Sequence, residues 1–318
     1  ISRYIEKGFE YFPKNIEIVN SSISFWKDVA KYEKTVITKC DINERLCRAY
    51  TTERLEIPLS ETASEKLIPI LFKFMEEIDD KQTEVENVEI NPTPSMYSMT
   101  TVSFFYQLLP KEIFDKVRQR VEENISKAEN WTNIYAAAIM IYSIADEPTS
   151  DDACQFISDK FDMLIEASLP HQVPRLREAA LNVIGLGIKN YPQIITKVDT
   201  DKRITDLINS FESSLSTGEQ SNRSNDEIKI FTLIAGIIYN LASAWKGNFY
   251  ESRLSTYFEK FIEFQKILFN CGISNNNRKL IKNSTAALTN LIFNAPPDLS
   301  PRLGDIYKSS LDYIEEAK

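Results

Sequence analysis

Apolar residues recur at helical spacing between Ser150 and Asn190, in two runs that a short turn separates. In the first run they fall on one face of a helix, at Phe156, Ile157, Phe161, Leu164 and Ile165. In the second run the apolar face consists of Val173, Leu176, Ala180, Val183, Ile184 and Gly187. Ser150 is placed as an N-cap of the first helix, and Pro174 suits the first turn of the second. Neither helix can cover its apolar stripe alone, so the pattern predicts a helix pair that packs against similar pairs on both sides.

The same pattern returns along the chain. Ala138 and Ala180 occupy matching places in two such helices and are 42 positions apart. Similar small residues stand at Ala235 and Gly236 and again at Ala286, with longer polar loops between them. Two helices per repeat of about 40 to 47 residues are typical of HEAT solenoids. We therefore predict an all-α fold, an α-α superhelix of the HEAT-repeat type, with about six helix pairs in a single segment over residues 1–318.

Stacked helix pairs place one helix of each pair on an inner face. The pattern assigns that face to the second helix of each pair, near residues 16–31, 95–109, 131–145, 174–190, 228–245 and 278–293. Three stretches are predicted as loops: an insertion at residues 34–59, an acidic loop at 76–90 and a polar loop at 216–226. The chain begins without Met and its pattern stops within the solenoid, which predicts a fragment of a longer protein.

Composition narrows the class of partner. The chain has 318 residues, 43% of them hydrophobic, and a net charge of −9. This charge disfavours a nucleic-acid-binding surface and suits a partner rich in Lys and Arg, although mildly acidic chains are common among cytosolic proteins. No apolar run reaches the roughly 18 residues that indicate a membrane helix, so no membrane association is predicted. The four cysteines form no CxxC pair, which predicts reduced thiols and no structural zinc site.

Residues with catalytic potential are few. His171 is the only histidine and lies in a turn between two helices. Gly185-Leu186-Gly187 matches part of a dinucleotide-binding pattern, but no strand precedes it. No Ser, Cys or Asp has the context of an activated nucleophile. We therefore predict no enzyme activity, no catalytic residue, no metal and no cofactor. The alternative is an α-helical enzyme whose site lies in the poorly patterned stretch from Glu33 to Leu59.

Several runs, taken in order, resemble a known family. HQVPRLREAALNVIG resembles a HEAT turn and second helix, and the preceding NWTNIYAAAIMIYSIADEPTSDDACQFISDKFDMLIEA resembles the central repeats of importin-β. IVNSSISFWKDV resembles an earlier second helix of that family, and an acidic loop followed by Asn91-Pro92 matches in order and position. The resemblance implies a nuclear transport receptor that shuttles between cytoplasm and nucleus through the nuclear pore. Its implied partners are basic cargo or importin-α adaptor segments, Phe-Gly nucleoporins and Ran-GTP.

The resemblance also implies contact residues. By position, the contacts of the acidic loop with Ran and with basic segments, as part of a concave acidic surface, fall on Glu77, Asp79, Asp80, Glu84 and Glu86. The family presents inner-face tryptophans to the basic adaptor helix, and the matching positions here are Ile90, Asn182 and Gly236. None of the three is aromatic, which predicts weaker or altered adaptor binding, or direct binding of cargo. A HEAT scaffold or regulatory subunit unrelated to transport is the alternative function.

Overall fold

The computed structural model describes residues 15–42, 59–79, 93–127, 129–196, 201–216, 223–245 and 253–295, with isolated positions at 7, 9, 81, 83, 84, 299, 304 and 308. Over these residues the fold is all-α, with twelve α-helices, one π-helical turn and no strand. The chain divides into two units, Ile1–Ile157 and Ser158–Lys318.

The first unit contains α1 (Ile16–Ile42), α2 (Leu59–Glu76), α3 (Pro94–Leu108), α4 (Pro110–Ile125), α5 (Trp131–Ala145) and the start of α6 (Asp151–Met163). The second unit contains the end of α6, the π-helical turn (Leu164–Ser168), α7 (Pro174–Asn190), α8 (Gln193–Thr196), α9 (Asp201–Ser216), α10 (Asn225–Ala244), α11 (Arg253–Ser274) and α12 (Arg278–Phe293). The second helices of six pairs are therefore present as α1, α3, α5, α7, α10 and α12.

In the first unit the second helices form a row in which α3 packs between α1 and α5, while α2 packs on α3 and α4 on α5. The centre of this unit is α5, whose residues from Ile134 to Ile141 are all buried. Its alanines, Ala136 to Ala138, are fully buried. Small side chains allow neighbouring helices to approach closely, which explains why this helix can be buried on all sides.

Four polar side chains fix neighbouring elements of the first unit. Glu33 of α1 is 3% exposed and accepts hydrogen bonds from the backbone N–H groups of Leu59, at 2.7 Å, and of Ser60, at 3.2 Å. It therefore caps the orphan donors at the start of α2. At the other end of α2, the guanidinium of Arg120 in α4 binds the Glu76 carboxylate with two hydrogen bonds. Asn124 donates a further bond to Glu76 at 2.8 Å.

In the second unit α7, α10 and α12 form the row of second helices, and α11 packs on α12 and α10. Asparagine amides of α10 and α12 each donate to a backbone carbonyl of the preceding helix in this row. Asn240 donates to Gly185 O at 3.0 Å and Asn290 donates to Tyr239 O at 2.8 Å. These bonds help to set the register between the helices. Although α10 is long and apolar enough to cross a membrane, 56% of its apolar window is buried, as in a core helix.

The structure corrects the predicted bounds of three segments. Helix α1 continues to Ile42, so residues 34–42 are helical rather than an insertion. The extension is held by polar contacts, since the Lys34 ammonium donates to Gln107 and, at 2.9 Å, to Glu147. Glu76 is the last residue of α2, and Ser216 the last of α9. Helix α10 begins at Asn225 through a capping box between Ser224 and Glu227. Residues 43–58 and 217–222 lie outside the described residues.

Candidate partner-binding surfaces

The acidic segment begins where α2 ends. Of its five predicted contact residues, Glu77, Asp79 and Glu84 are described and exposed, and Asp80 and Glu86 lie outside the described residues. Glu77 pairs with Lys73 at 3.2 Å, and the Asp79 carboxylate accepts a hydrogen bond from the Lys81 backbone N–H at 3.0 Å. An exposed pair contributes only about 0.2–1 kcal/mol. A lysine of a partner can therefore replace Lys73 at little cost.

The inner-face candidates lie on neighbouring helices of the second unit. Asn182 is half-buried in α7, Gly236 is half-buried in α10, and Ile90 lies outside the described residues. An ideal Cβ at Gly236 would meet no heavy atom within 4 Å. The position therefore has room for a larger side chain on the solvent side of α10.

In the second unit the charges of the second helices do not favour the expected acidic inner face. Its three long second helices carry seven basic and three acidic residues, which are Arg175, Arg177, Lys189, Lys229, Arg278, Lys279 and Lys282 against Glu178, Asp226 and Glu227. Four of the basic side chains are exposed, and none of the acidic ones is more than half-exposed. In the first unit, α3 and α5 carry no charged residue and α1 is balanced. The net charge of −9 belongs to the whole chain and could not reveal this distribution.

The surroundings of one carboxylate on this row shift its pKa. Burial raises the pKa of Glu178 in α7 to about 7, and the nearby charge of Asp226 adds to this effect. The cations Lys229, Arg175 and Lys279 act in the opposite direction. Near neutral pH the Glu178 carboxyl is therefore partly protonated, which increases the surplus of positive charge on these helices.

An open groove lies between α10 and α12 in the second unit. Its volume is about 570 Å³, and its lining residues are Tyr239, Lys282, Thr285, Ala286, Thr289, Asn290 and Phe293. Phe293 is 75% exposed and Tyr239 is 42% exposed. This groove could not be predicted from sequence, because its two aromatic residues belong to different repeats.

The residues with catalytic potential are either bonded to the backbone or buried in the core. His171 lies in the turn before α7, and its Nδ1 accepts a hydrogen bond from the Val173 N–H at 3.1 Å. Cys154 and Cys271 are buried, and burial raises the pKa of both thiols. A thiol of raised pKa is a poor nucleophile at neutral pH. Among the described residues, no group of three or more His, Cys, Asp or Glu side chains is placed to hold a metal ion.

The sequence matches no family model and no curated protein. Among solved structures, the Kap95:Nup1 complex matches over 99% of this chain with a TM-score of 0.73 and 15% identity. The structure of yeast importin-β (Kap95p) matches over 98% with a TM-score of 0.72 and 17% identity. The chain has the importin-β fold. It spans about a third of the length of these chains, 34% and 33%. The predicted HEAT-repeat fold class is thereby confirmed, while the contact residues stay predictions.

Proposed function

We propose that this chain is part of a nuclear transport receptor of the importin-β type, which binds Ran-GTP and basic segments of cargo or of an importin-α adaptor. The observation that carries the proposal is the importin-β fold over nearly the whole chain. Under this proposal the protein is not an enzyme and moves between cytoplasm and nucleus through the nuclear pore. The structure of Kap95 with Nup1 supports adding Phe-Gly nucleoporins to the proposed partners.

The acidic segment at residues 76–90 supplies the charge for a basic partner in this proposal. Glu76 is occupied by Arg120 and Asn124, so its carboxylate serves the fold rather than the partner. Glu77, Asp79 and Glu84 remain exposed to a partner, and Asp80 and Glu86 extend the proposed contact. Exposed ion pairs contribute about 0.2–1 kcal/mol each, so several must act together. Because salt screens such pairs, binding should weaken strongly as ionic strength rises.

The test measures binding of the purified chain to Ran-GTP, with Ran-GDP as reference, and to the basic N-terminal segment of importin-α. Measurements at about 50 mM and about 300 mM salt should show tighter binding at the lower concentration. We expect the triple substitution Glu77→Lys, Asp79→Lys and Glu84→Lys to abolish binding of the basic segment.

The matched control reverses three exposed glutamates elsewhere in the first unit, with Glu17→Lys, Glu65→Lys and Glu129→Lys. This control makes the same change in net charge but leaves the acidic segment intact. If both triple variants lose the same affinity, the acidic segment has no specific role. If neither Ran-GTP nor the basic segment binds the unmodified chain at the lower salt concentration, the proposed function is wrong.

A scaffold function unrelated to transport is the second candidate. It is favoured by the non-aromatic residues Asn182 and Gly236 at the inner-face positions and by the surplus of basic residues on α7, α10 and α12. Both features disfavour a basic helix on this part of the protein. Failure to bind Ran-GTP, together with binding of other protein segments, would select the scaffold.

A further inference from the structure

We propose that the groove between α10 and α12 docks an acidic, amphipathic segment of a partner protein. This inference goes beyond the transport proposal and does not depend on it, because a transport receptor and an unrelated scaffold could both use such a groove. The two proposals also involve different units of the chain and partner segments of opposite charge.

The apolar surface of the groove comes from both helices. The α12 side is a stripe at Lys282, Ala286, Thr289 and Phe293, whose spacing places the four residues on one helix face. Tyr239 forms the opposite side from α10. With Phe293 at 75% and Tyr239 at 42% exposure, the groove offers two aromatic side chains to an occupant. Aromatic anchors of this kind dominate the affinity of many protein interfaces.

This stripe differs from the face of α12 that carries Ile281, Leu288 and Ile292, which are half-buried. Ile281 on that face lies against Gly272 of α11. At 100° per residue, Leu288 and Ala286 point in directions about 200° apart on the helix. The groove is therefore a separate apolar surface beside α10.

The groove is held in shape by hydrogen bonds at its base. The Asn290 amide donates to Tyr239 O at 2.8 Å and to the Ser243 hydroxyl at 2.7 Å. Both bonds join α12 to α10 through the one amide of Asn290, which is itself a lining residue. An occupant therefore meets a preformed groove, and it is recognised through side chains rather than by adding a backbone partner.

Charge selects an acidic occupant. Lys282 lines the groove, Lys279 and Arg278 are exposed at the start of the same helix, and α12 carries no acidic residue. The acidic residues of α10 are Asp226 and Glu227, both in its first turn. A basic segment would therefore meet like charge at the start of α12 and at Lys282. An acidic segment would gain encounter rate and orientation from it.

The test measures fluorescence anisotropy of a labelled helical peptide with the full chain. The first probe has about 18 residues, with Leu and Phe at helical anchor spacing and Glu elsewhere, and the second has Lys in place of each Glu. We expect the acidic probe to bind at least about tenfold more tightly than the basic one. Equal affinity, or no binding of the acidic probe, overturns the proposal.

Substitutions in the groove show whether the acidic probe binds there. We expect Lys279→Glu with Lys282→Glu to weaken the acidic probe by about tenfold or more, and Phe293→Ala by about five- to tenfold. All three side chains are exposed, so the substitutions should leave the fold intact. The matched controls are Lys31→Glu with Lys111→Glu, and Phe25→Ala, all exposed residues of the first unit, and they should leave the affinity unchanged. Equal losses in groove and control variants overturn the proposal.

Two further probes distinguish other occupants. A synthetic peptide of residues 301–318 tests whether this chain supplies its own acidic segment, and a single-stranded DNA tests a general anion surface. Tighter binding of either probe than of the acidic peptide, with the same loss in the groove variants, overturns the partner proposal. Binding of the basic importin-α segment should be unaffected by the groove variants, so failure here leaves the transport proposal standing.

Discussion

Two glycines of the second unit lie inside long helices and differ in what surrounds them. At Gly236 in α10 a Cβ would meet nothing within 4 Å. At Gly272 in α11 a Cβ would lie 2.9 Å from Ile281 Cγ1, 3.1 Å from the Ile281 backbone nitrogen and 3.4 Å from Leu280 Cγ. The missing side chain therefore allows α11 and the first turn of α12 to approach closely. Substitution by alanine should have opposite effects at the two positions.

The magnitudes follow from two opposing terms. Replacing glycine by alanine inside a helix stabilises a protein by roughly 0.5–1 kcal/mol, chiefly because the unfolded chain loses less entropy on folding. Gly236→Ala should gain this amount. Gly272→Ala gains it too, but forcing a methyl group into a packed interface costs about 1–3 kcal/mol. The close atom at 3.1 Å is backbone and cannot rotate away, so we expect a net loss of about 1–2 kcal/mol.

The assay is urea unfolding followed by far-UV circular dichroism, with hydrogen exchange of peptides from α10, α11 and α12 as a local readout. The midpoint should rise for Gly236→Ala and fall for Gly272→Ala. Faster exchange in the latter should concentrate in α11 and α12. Removing part of the obstruction with Ile281→Ala should make the double variant less destabilised than the sum of the single changes. Midpoint shifts of the same sign in both glycine variants would refute the reasoning.

Two further changes test the electrostatics and the inner face. Burial raises the pKa of Glu178 to about 7 from the ordinary 4.5. The folded state thus binds its proton more tightly than the unfolded state, and stability falls as pH rises between these values. Glu178→Gln should remove this fall and be more stable than the wild type at pH 8 by about 1–3 kcal/mol, with little difference at pH 4, as thermal unfolding at both pH values would show. A pH-independent difference would contradict it. Gly236→Trp should tighten binding of the basic importin-α segment by about two- to thirtyfold through cation–π contacts worth about 0.5–2 kcal/mol. Gly236→Ala is the control, and equal affinities of the two variants would count against an inner-face role for this position.

Elements with local start signals could be predicted closely from the sequence. The expected helix at residues 131–145 is α5, which begins after Asn130, whose side chain accepts a bond from the Thr132 N–H at 3.2 Å. The helix at 174–190 is α7, which has Pro174 in its first turn. Caps and prolines act on residues a few positions away, so sequence is sufficient to place them.

The end of α1 could not be predicted in this way. Its last eleven residues, 32–42, include the apolar Val36, Ile37 and Ile42 among polar residues. At the start of this stretch Lys34 bonds to Gln107, 73 positions away, and Glu33 caps Leu59, 26 positions away. Polar contacts of this kind, made to other repeats, leave no periodic signal in their own stretch.

The groove had no local signal either. Tyr239 and Phe293 are exposed members of two helices, and each by itself is an ordinary surface aromatic residue. Their proximity depends on the register of α12 against α10, which the bonds from Asn290 set. The net charge of the chain does not predict the charge at the groove either. A net charge of −9 is compatible with a helix α12 that carries three positive charges and no negative one.

The distribution of charge changes what the importin-β fold implies for this chain. Exposed carboxylates follow α2 in the first unit, whereas basic residues predominate on α7, α10 and α12 in the second. A long basic segment could gain from the former but would be repelled along the latter. The fold by itself therefore does not predict one basic partner for the second helices of both units. If the two partners use separate surfaces of opposite charge, rising salt should weaken both the basic and the acidic probe, and each should respond only to charge reversal at its own surface. On a single shared surface of one sign, salt would weaken one probe and strengthen the other.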